Sequence, residues 1–70
     1  MRYLVVIERT PTGFSAYCPD LPGCVAACET LEATEREMGQ AVAFHVDALR
    51  REGLPVPEPS TRYSVVEVPA

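Results

Sequence analysis

His45 is the only histidine in the chain, and Cys18, Cys24 and Cys28 are its only thiols. A nucleophile–base pair would have to combine this histidine with a cysteine or serine, and the sequence places neither type beside it. His45 falls at the edge of the apolar stripe of a predicted helix, which favours a packing or hydrogen-bonding role. Buried free cysteines are common and inert, so we interpret the thiols as structural, with metal or redox chemistry as the alternative.

No other pattern predicts catalysis, a metal or a cofactor. Two-metal chemistry needs carboxylates at facing strand positions, and Val5, Val6 and Ile7 occupy the first predicted strand instead. An odd number of cysteines with one histidine and no C-x-x-C motif argues against a zinc site or a disulfide framework. The glycines are scattered, so there is no phosphate-binding loop. The sequence therefore predicts a protein that is not an enzyme.

The length and the net charge of the chain limit its domain organisation and the kinds of partner it can bind. The 70 residues allow one domain, predicted over residues 1–70, and so small a core favours help from a second chain in a homo-oligomer. Ten acidic and six basic residues give a net charge of −4, which disfavours nucleic-acid binding by this chain alone and attracts a basic partner. No apolar run could span a membrane and no signal peptide is evident, so we expect a cytoplasmic protein.

Apolar runs, alternation and turn residues predict three strands, one helix and a fourth strand. The first run is fully apolar, which is typical of a central strand buried on both faces. Proline and glycine between the first two runs predict a hairpin turn. The five elements are predicted at residues 3–7, 14–18, 25–29, 30–51 and 63–68.

The predicted helix has clear ends, since Thr30 has the hydroxyl of an N-cap residue and Gly53 suits a C-cap. A second, weaker apolar strip includes Phe44 and Ala48, which we expect to contribute to an oligomer interface. The main apolar stripe is predicted to pack on the sheet, and its members are Leu31, Met38, Val42, Val46 and Leu49.

Connection lengths set the predicted topology. Two tight links make the first three strands an antiparallel meander, and the helix returns the chain so that the fourth strand pairs parallel with the first. The expected fold is α+β, with β-β-β-α-β order and a mixed four-stranded sheet of order 3-2-1-4 that carries one helix on one face. The other face is left for solvent or another protein chain.

Residues 19–23 read P-D-L-P-G and cannot form regular secondary structure, because proline lacks a donor and restricts the residue before it. A rigid loop loses little entropy on docking, and the leucine between the two prolines is expected to be its exposed apolar tip. A plain connector between strands is the alternative. The predicted partner-binding residues are Tyr17, Pro19, Asp20, Leu21 and Pro22.

This loop and the segments after it resemble the HicB-like antitoxin family. The family shows an aromatic residue, then P-D-L-P-G-C or similar, and then a G-D-T-x-E-E-A-like helix start. Cys28 stands where the family usually has glycine, and Glu29 where it often has aspartate. The resemblance covers nearly the whole chain, through Y-C-P-D-L-P-G-C at 17–24, E-T-L-E-A at 29–33, Q-A-V at 40–42, H-V-D-A-L at 45–49 and G-L-P-V-P-E-P at 53–59.

The resemblance implies a partly degraded RNase H-like fold and a role in neutralising HicA, a small mRNA-cleaving toxin, by covering its active site. Full-length members usually carry a C-terminal DNA-binding segment, whereas this sequence ends at Ala70, directly after the last predicted strand. The resemblance is therefore to the N-terminal domain only. Operator binding by this chain alone is not expected.

Three functions remain. The first is a non-enzymatic module that binds a small basic HicA-like toxin through residues 17–23 and the uncovered sheet face. The second is an orphan HicB-like domain that associates with itself, has no toxin, and serves a structural or unknown role. The third is a residual nuclease or a thiol or metal enzyme.

Overall fold

Four elements make up the fold, in the order β1 (Val6–Thr10), β2 (Gly13–Tyr17), β3 (Val25–Cys28) and α1 (Leu31–Arg51). The structure is a computed structural model that describes residues 1–70. The strands form one antiparallel sheet of order β1-β2-β3, and α1 packs on one of its faces. The α+β class predicted from the sequence is confirmed. The only helix, α1, is too polar to serve as a membrane span.

A two-residue turn joins β1 and β2 and sets their register. The last residue of β1 pairs with the first residue of β2, so only Pro11 and Thr12 form the turn. Gly13 is the first residue of β2, and a side chain would not fit at this position. A Cβ there would lie 2.3 Å from the carbonyl oxygen of Cys28. The missing side chain lets the end of β3 approach the hairpin closely.

The first strand differs from its prediction in position and in role. β1 begins at Val6 rather than at residue 3, because the turn fixes which residues can pair with β2. Tyr3 and Val5 still pack against the core, but without a strand partner. β1 pairs only with β2, so it is an edge strand of the sheet. The prediction that the first strand is central and buried on both faces is therefore wrong.

The predicted fourth strand is absent. Residues 54–70 contain no helix or strand, and the sheet is antiparallel with three strands instead of mixed with the order 3-2-1-4. The radius of gyration is 13.9 Å, against about 11 Å for a compact chain of this length, so part of the chain projects from the body. Alternation predicted that residues 63–68 could be a strand, but it did not predict a partner for them. The apolar side chains of this segment are 76–86% exposed, namely Tyr63, Val65, Val66 and Val68.

Both ends of α1 confirm the sequence prediction. Thr30 is the N-cap, and its hydroxyl oxygen accepts a hydrogen bond from a backbone N–H of the first turn at 3.1 Å. After the last turn, Gly53 has a φ of 69°. Its N–H donates to the carbonyl of Arg50, and the N–H of Leu54 donates to the carbonyl of Leu49. This pair of bonds is a Schellman motif, which satisfies carbonyls that the helix itself leaves free.

The core lies between the sheet, α1 and the loop that follows β2. The predicted stripe of α1 is confirmed for its two buried members and for Val42, which packs against them. Leu31, in the first turn, is 41% exposed instead. Thr34 is buried in its place, and its hydroxyl donates to the carbonyl oxygen of Thr30 at 2.8 Å. The buried apolar residues are Ala16, Cys18, Leu21, Cys24, Met38 and Val46.

Candidate partner-binding surface

Two consecutive β-turns build the loop between β2 and β3. Each is closed by a backbone hydrogen bond of 3.1 Å, the first to the carbonyl of Cys18 and the second to the carbonyl of Leu21. Pro19 and Pro22 take the second position of these turns, where their fixed φ is favourable. Gly23 follows with a φ of 84°, as the third position of a type II turn requires. The P-D-L-P-G motif is therefore a stiff double turn.

Leu21 is the residue that the two turns share, and its side chain is completely buried. The prediction of an exposed apolar tip is wrong, because the corner between the turns points into the core. A chain this small has few large apolar side chains, and this one fills the space beside Met38 and Cys18. Pro19 and Pro22 remain exposed on the outside of the loop.

Asp20 fastens the C-terminal segment to the same loop. Its Oδ2 accepts hydrogen bonds from the backbone N–H groups of Ser60 and Thr61, both at 3.1 Å. Its Oδ1 accepts from the hydroxyl of Thr61 at 2.7 Å and from the hydroxyl of Ser60 at 3.0 Å. Hydrogen bonds from Thr61, and then those from Ser60, lower the pKa of Asp20 against the opposing effect of desolvation. We call Asp20, Ser60 and Thr61 the clasp.

A second contact holds the proline-rich connector beside the N-terminal segment. The phenol of Tyr3 donates a hydrogen bond to the carbonyl oxygen of Pro57. Desolvation and then the nearby carboxylate of Glu58 raise the pKa of Tyr3, so the phenol stays protonated and remains a donor. The two ends of the chain meet here around one cavity, lined by Arg2, Tyr3, Leu4, Thr61, Arg62 and Tyr63.

The sheet face opposite α1 carries a row of apolar side chains. Val6, Tyr17 and Val25 are paired across the three strands and therefore share one face. Ala16, which points to the other face, is buried under α1. Tyr17 is 43% exposed and Val25 is 65% exposed. We call these three residues the open-face row.

The charged groups leave many carboxylates free for a basic partner. Every acidic side chain except Asp20 is exposed. Asp47 pairs with Arg51 at 2.8 Å, but both side chains are more than 60% exposed, so this pair adds little to stability. The region from the end of β3 to the middle of α1 holds one arginine among four acidic residues, Glu29, Glu32, Glu35 and Glu37.

The residues considered for chemistry are one histidine and three cysteines, and the structure buries them to different degrees. His45 is half-buried on α1. Cys18 and Cys24 are buried, Cys28 is partly buried, and all three thiols are free. Burial, and then the neighbouring Cys18, raise the pKa of Cys24, which keeps this thiol protonated and weakly nucleophilic at neutral pH. No three His, Cys, Asp or Glu side chains come together as a possible metal site.

The predicted oligomer strip lies on the outer side of α1. Phe44 is 69% exposed, and Ala48, one turn later, is partly buried. A single large apolar side chain on a surface helix is common in monomers and does not by itself indicate an interface. The strip therefore remains a prediction.

Several residues of the candidate partner-binding surface were not predicted from the sequence. Val6 and Val25 join Tyr17 only through the register of the strands, and the two-residue turn after β1 was the signal that could have set half of that register. Ser60 and Thr61 lie 40 residues or more from Asp20 along the chain. No sequence signal links them, because both hydroxyl residues and carboxylates are common on any surface.

Together these features define a class of protein: a small α+β domain with a stiff double-turn loop and an open, partly apolar sheet face. Residues 3–70 match the family described as the HicB-like antitoxin of bacterial toxin-antitoxin systems. The chain belongs to the HicB-like antitoxin family, as the resemblance in the sequence had predicted.

The chain is also similar to one solved structure and to two curated proteins. A chain of the solved HicA3 and HicB3 toxin-antitoxin complex is similar, with a TM-score of 0.72 and 37% identity over 86% of this chain and 70% of that chain. An uncharacterized 14.9 kDa protein of Haemophilus phage HP1 is 32% identical over 65 residues, 90% of this chain. The present chain spans 49% of the length of that phage protein. A UPF0150 protein of Synechocystis is 32% identical over 57 residues, 80% of this chain and 72% of that protein.

Proposed function

We propose that this chain, as one HicB-like domain, is an antitoxin that binds a small basic HicA-like ribonuclease and covers its active site. It acts by binding and performs no catalysis of its own. The observation that carries the proposal is the family match over residues 3–70. Similarity to a chain of the HicA3 and HicB3 complex supports the same class of partner.

The open-face row is the proposed centre of the contact. A tyrosine between two valines offers a large, rigid apolar area with a hydroxyl at its end, which is the type of residue enriched at the energetic centre of protein interfaces. The exposed Pro19 and Pro22 continue this surface along the stiff loop. Leu21 is omitted because it is buried, and Asp20 because the clasp already occupies its carboxylate.

Charge supports the choice of partner. The net charge of −4 and the exposed carboxylates repel nucleic acid and attract a protein that carries the basic surface needed to hold RNA. Attraction between opposite charges mainly increases the association rate, and salt weakens it. We therefore expect the complex to form faster at low ionic strength, while the apolar row determines how long it lasts.

The first test is affinity capture of the tagged full chain from its native cells at moderate salt, with mass spectrometry of the co-eluting proteins. A small basic ribonuclease in near-stoichiometric amount, whose RNA cleavage stops when this chain is added, supports the proposal. Recovery of the chain alone, or of a ribonuclease that stays active in the complex, contradicts it.

A matched pair of variants locates the contact. Val25→Arg and Phe44→Arg replace side chains that are 65% and 69% exposed and change the net charge equally, but they lie on opposite sides of the molecule. We expect Val25→Arg to weaken toxin binding by about tenfold or more and Phe44→Arg to leave it unchanged. An equal effect of both variants would point to net charge, and a loss confined to Phe44→Arg would move the contact to the helix.

The alternative is an orphan domain that associates with itself through Phe44 and Ala48 and has no toxin partner. The small size of the core, together with the exposed Phe44, is the observation that favours it. In that case Phe44→Arg dissociates the oligomer, and no ribonuclease is captured.

A further inference from the structure

Residues 62–68 lack a backbone partner in a strand, and so do the two outer edges of the sheet. Residues 62–68 belong to no strand, although valines and a tyrosine dominate them and these side chains are 76–86% exposed. One edge of β1 is also unpaired, since β2 is the only neighbour of β1. An exposed strand edge and an exposed apolar segment are both unfavourable in a single chain, and each is the kind of group that satisfies the other.

We propose that two copies of this chain exchange their C-terminal segments, so that residues 62–68 of each copy form a strand on the free edge of β1 in the other. The occupant of the β1 edge is thus a second copy of the same chain. This inference does not depend on the toxin, and it is tested on the protein alone.

The presence of both unpaired groups on the same chain favours a second copy over a different partner. Each copy supplies one donor segment and one β1 edge, so one twofold exchange pairs both groups on both chains, while the outer edge of β3 stays as it is in the single chain. The exchange gives each sheet the order 3-2-1-4, with the fourth strand coming from the partner.

The clasp fixes where the exchanged strand begins. Asp20 holds Ser60 and Thr61 against the double-turn loop, so the segment that follows starts from a defined place instead of from a free end. A segment held at its base loses less entropy on pairing than a free peptide would. In an extended strand, Val66 and Val68 lie on one face and Tyr63 and Val65 on the other, so both faces of the sheet gain apolar contacts.

Proline substitutions test the pairing in the full-length chain. Successive N–H groups of a strand point to opposite edges, so one of Val65→Pro and Val66→Pro removes a donor that faces β1, and the other removes a donor that faces solvent. Light scattering should give twice the chain mass of 7.7 kDa for the unchanged protein. We expect the dimer to weaken by about tenfold or more in at least one proline variant. The helical circular dichroism signal should stay unchanged, because both residues lie outside α1 and the three strands of the single chain.

Phe44→Asp is the matched control, because it alters a similarly exposed apolar residue on the outer side of α1. It should leave the dimer intact. A monomeric unchanged protein, a dimer that both proline variants retain, or a dimer that only Phe44→Asp dissociates would each overturn the proposal.

Isotope-filtered NMR on a mixture of differently labelled copies identifies the partner strand directly. Exchange predicts intermolecular contacts between Val65 or Val66 of one copy and β1 of the other. If all contacts of residues 62–68 with β1 are within one chain, or if the intermolecular contacts involve only α1, the exchange does not occur.

Discussion

The carboxylate of Asp20 and the hydroxyl of Thr61 lie 2.7 Å apart, although 41 residues separate them in the sequence. This bond and its companions at Ser60 join the loop after β2 to the segment that follows the proline-rich connector. The position of the C-terminal segment therefore depends on the loop.

Substitution of Asp20 should release the C-terminal segment without unfolding the domain. Asp20→Asn keeps the size of the side chain but replaces one acceptor oxygen with a donor and removes the charge, so it cannot hold four donors. We expect faster hydrogen exchange at the amides of Ser60 and Thr61 and unchanged exchange in α1. Glu58→Gln is the control, since that carboxylate is exposed. Unchanged protection of both amides in Asp20→Asn would show that the clasp does not hold the segment.

Acid should open the clasp below the ordinary range of an aspartate. The pKa of Asp20 is lowered in the folded protein, so the stabilisation is present above the unfolded value of about 3.9 and is lost as the pH falls through the lower folded value. The amide shift of Thr61, followed by NMR during acid titration, should change with a midpoint below about 3.9. The transition should disappear in Asp20→Asn. A midpoint at or above the ordinary value would mean that the hydrogen bonds do not stabilise the carboxylate.

Leu21 should contribute more to stability than any exposed leucine. It is completely buried, and its truncation leaves a cavity between the double turn and α1, so Leu21→Ala should lower the free energy of unfolding by about 2–5 kcal/mol. Leu54→Ala, at a residue that is 50% exposed, should cost less than about 1 kcal/mol. Urea denaturation measures both. Equal losses would mean that the loop does not pack on the core as described.

Substitution of alanine for two of the glycines should change the stability of the chain in opposite directions. Gly13→Ala should be destabilising, because the new Cβ would lie 2.3 Å from a backbone oxygen of β3 that cannot move without disturbing the sheet. Gly39 lies in α1 with nothing within 4 Å of a new Cβ, so Gly39→Ala should stabilise the chain by about 1 kcal/mol through helix propensity. Thermal unfolding compares the two variants. A destabilising Gly39→Ala would show that another chain approaches the helix closely at this point.

Local signals in the sequence were enough for α1 and for the stiffness of the loop. Thr30 and Gly53 marked the helix ends correctly because capping depends on residues within one turn. The prolines and Gly23 of the loop likewise determine turns among neighbouring residues. Of the candidate site, Tyr17, Pro19 and Pro22 were located at the surface from the sequence, whereas Leu21 was placed on the wrong side.

The sequence by itself determined the α+β class, the helix with its caps, the acidic charge and the family, because these follow from local patterns or from the order of residues. The tertiary structure decided that Leu21 points inward, that Asp20 holds Thr61, and that Val6, Tyr17 and Val25 form one row. It also decided that β1 is an edge strand and that residues 62–68 have no partner within the chain. Each of these features depends on contacts between segments that are distant in the sequence. The free energy that favours one set of such contacts over another comes from packing the whole core.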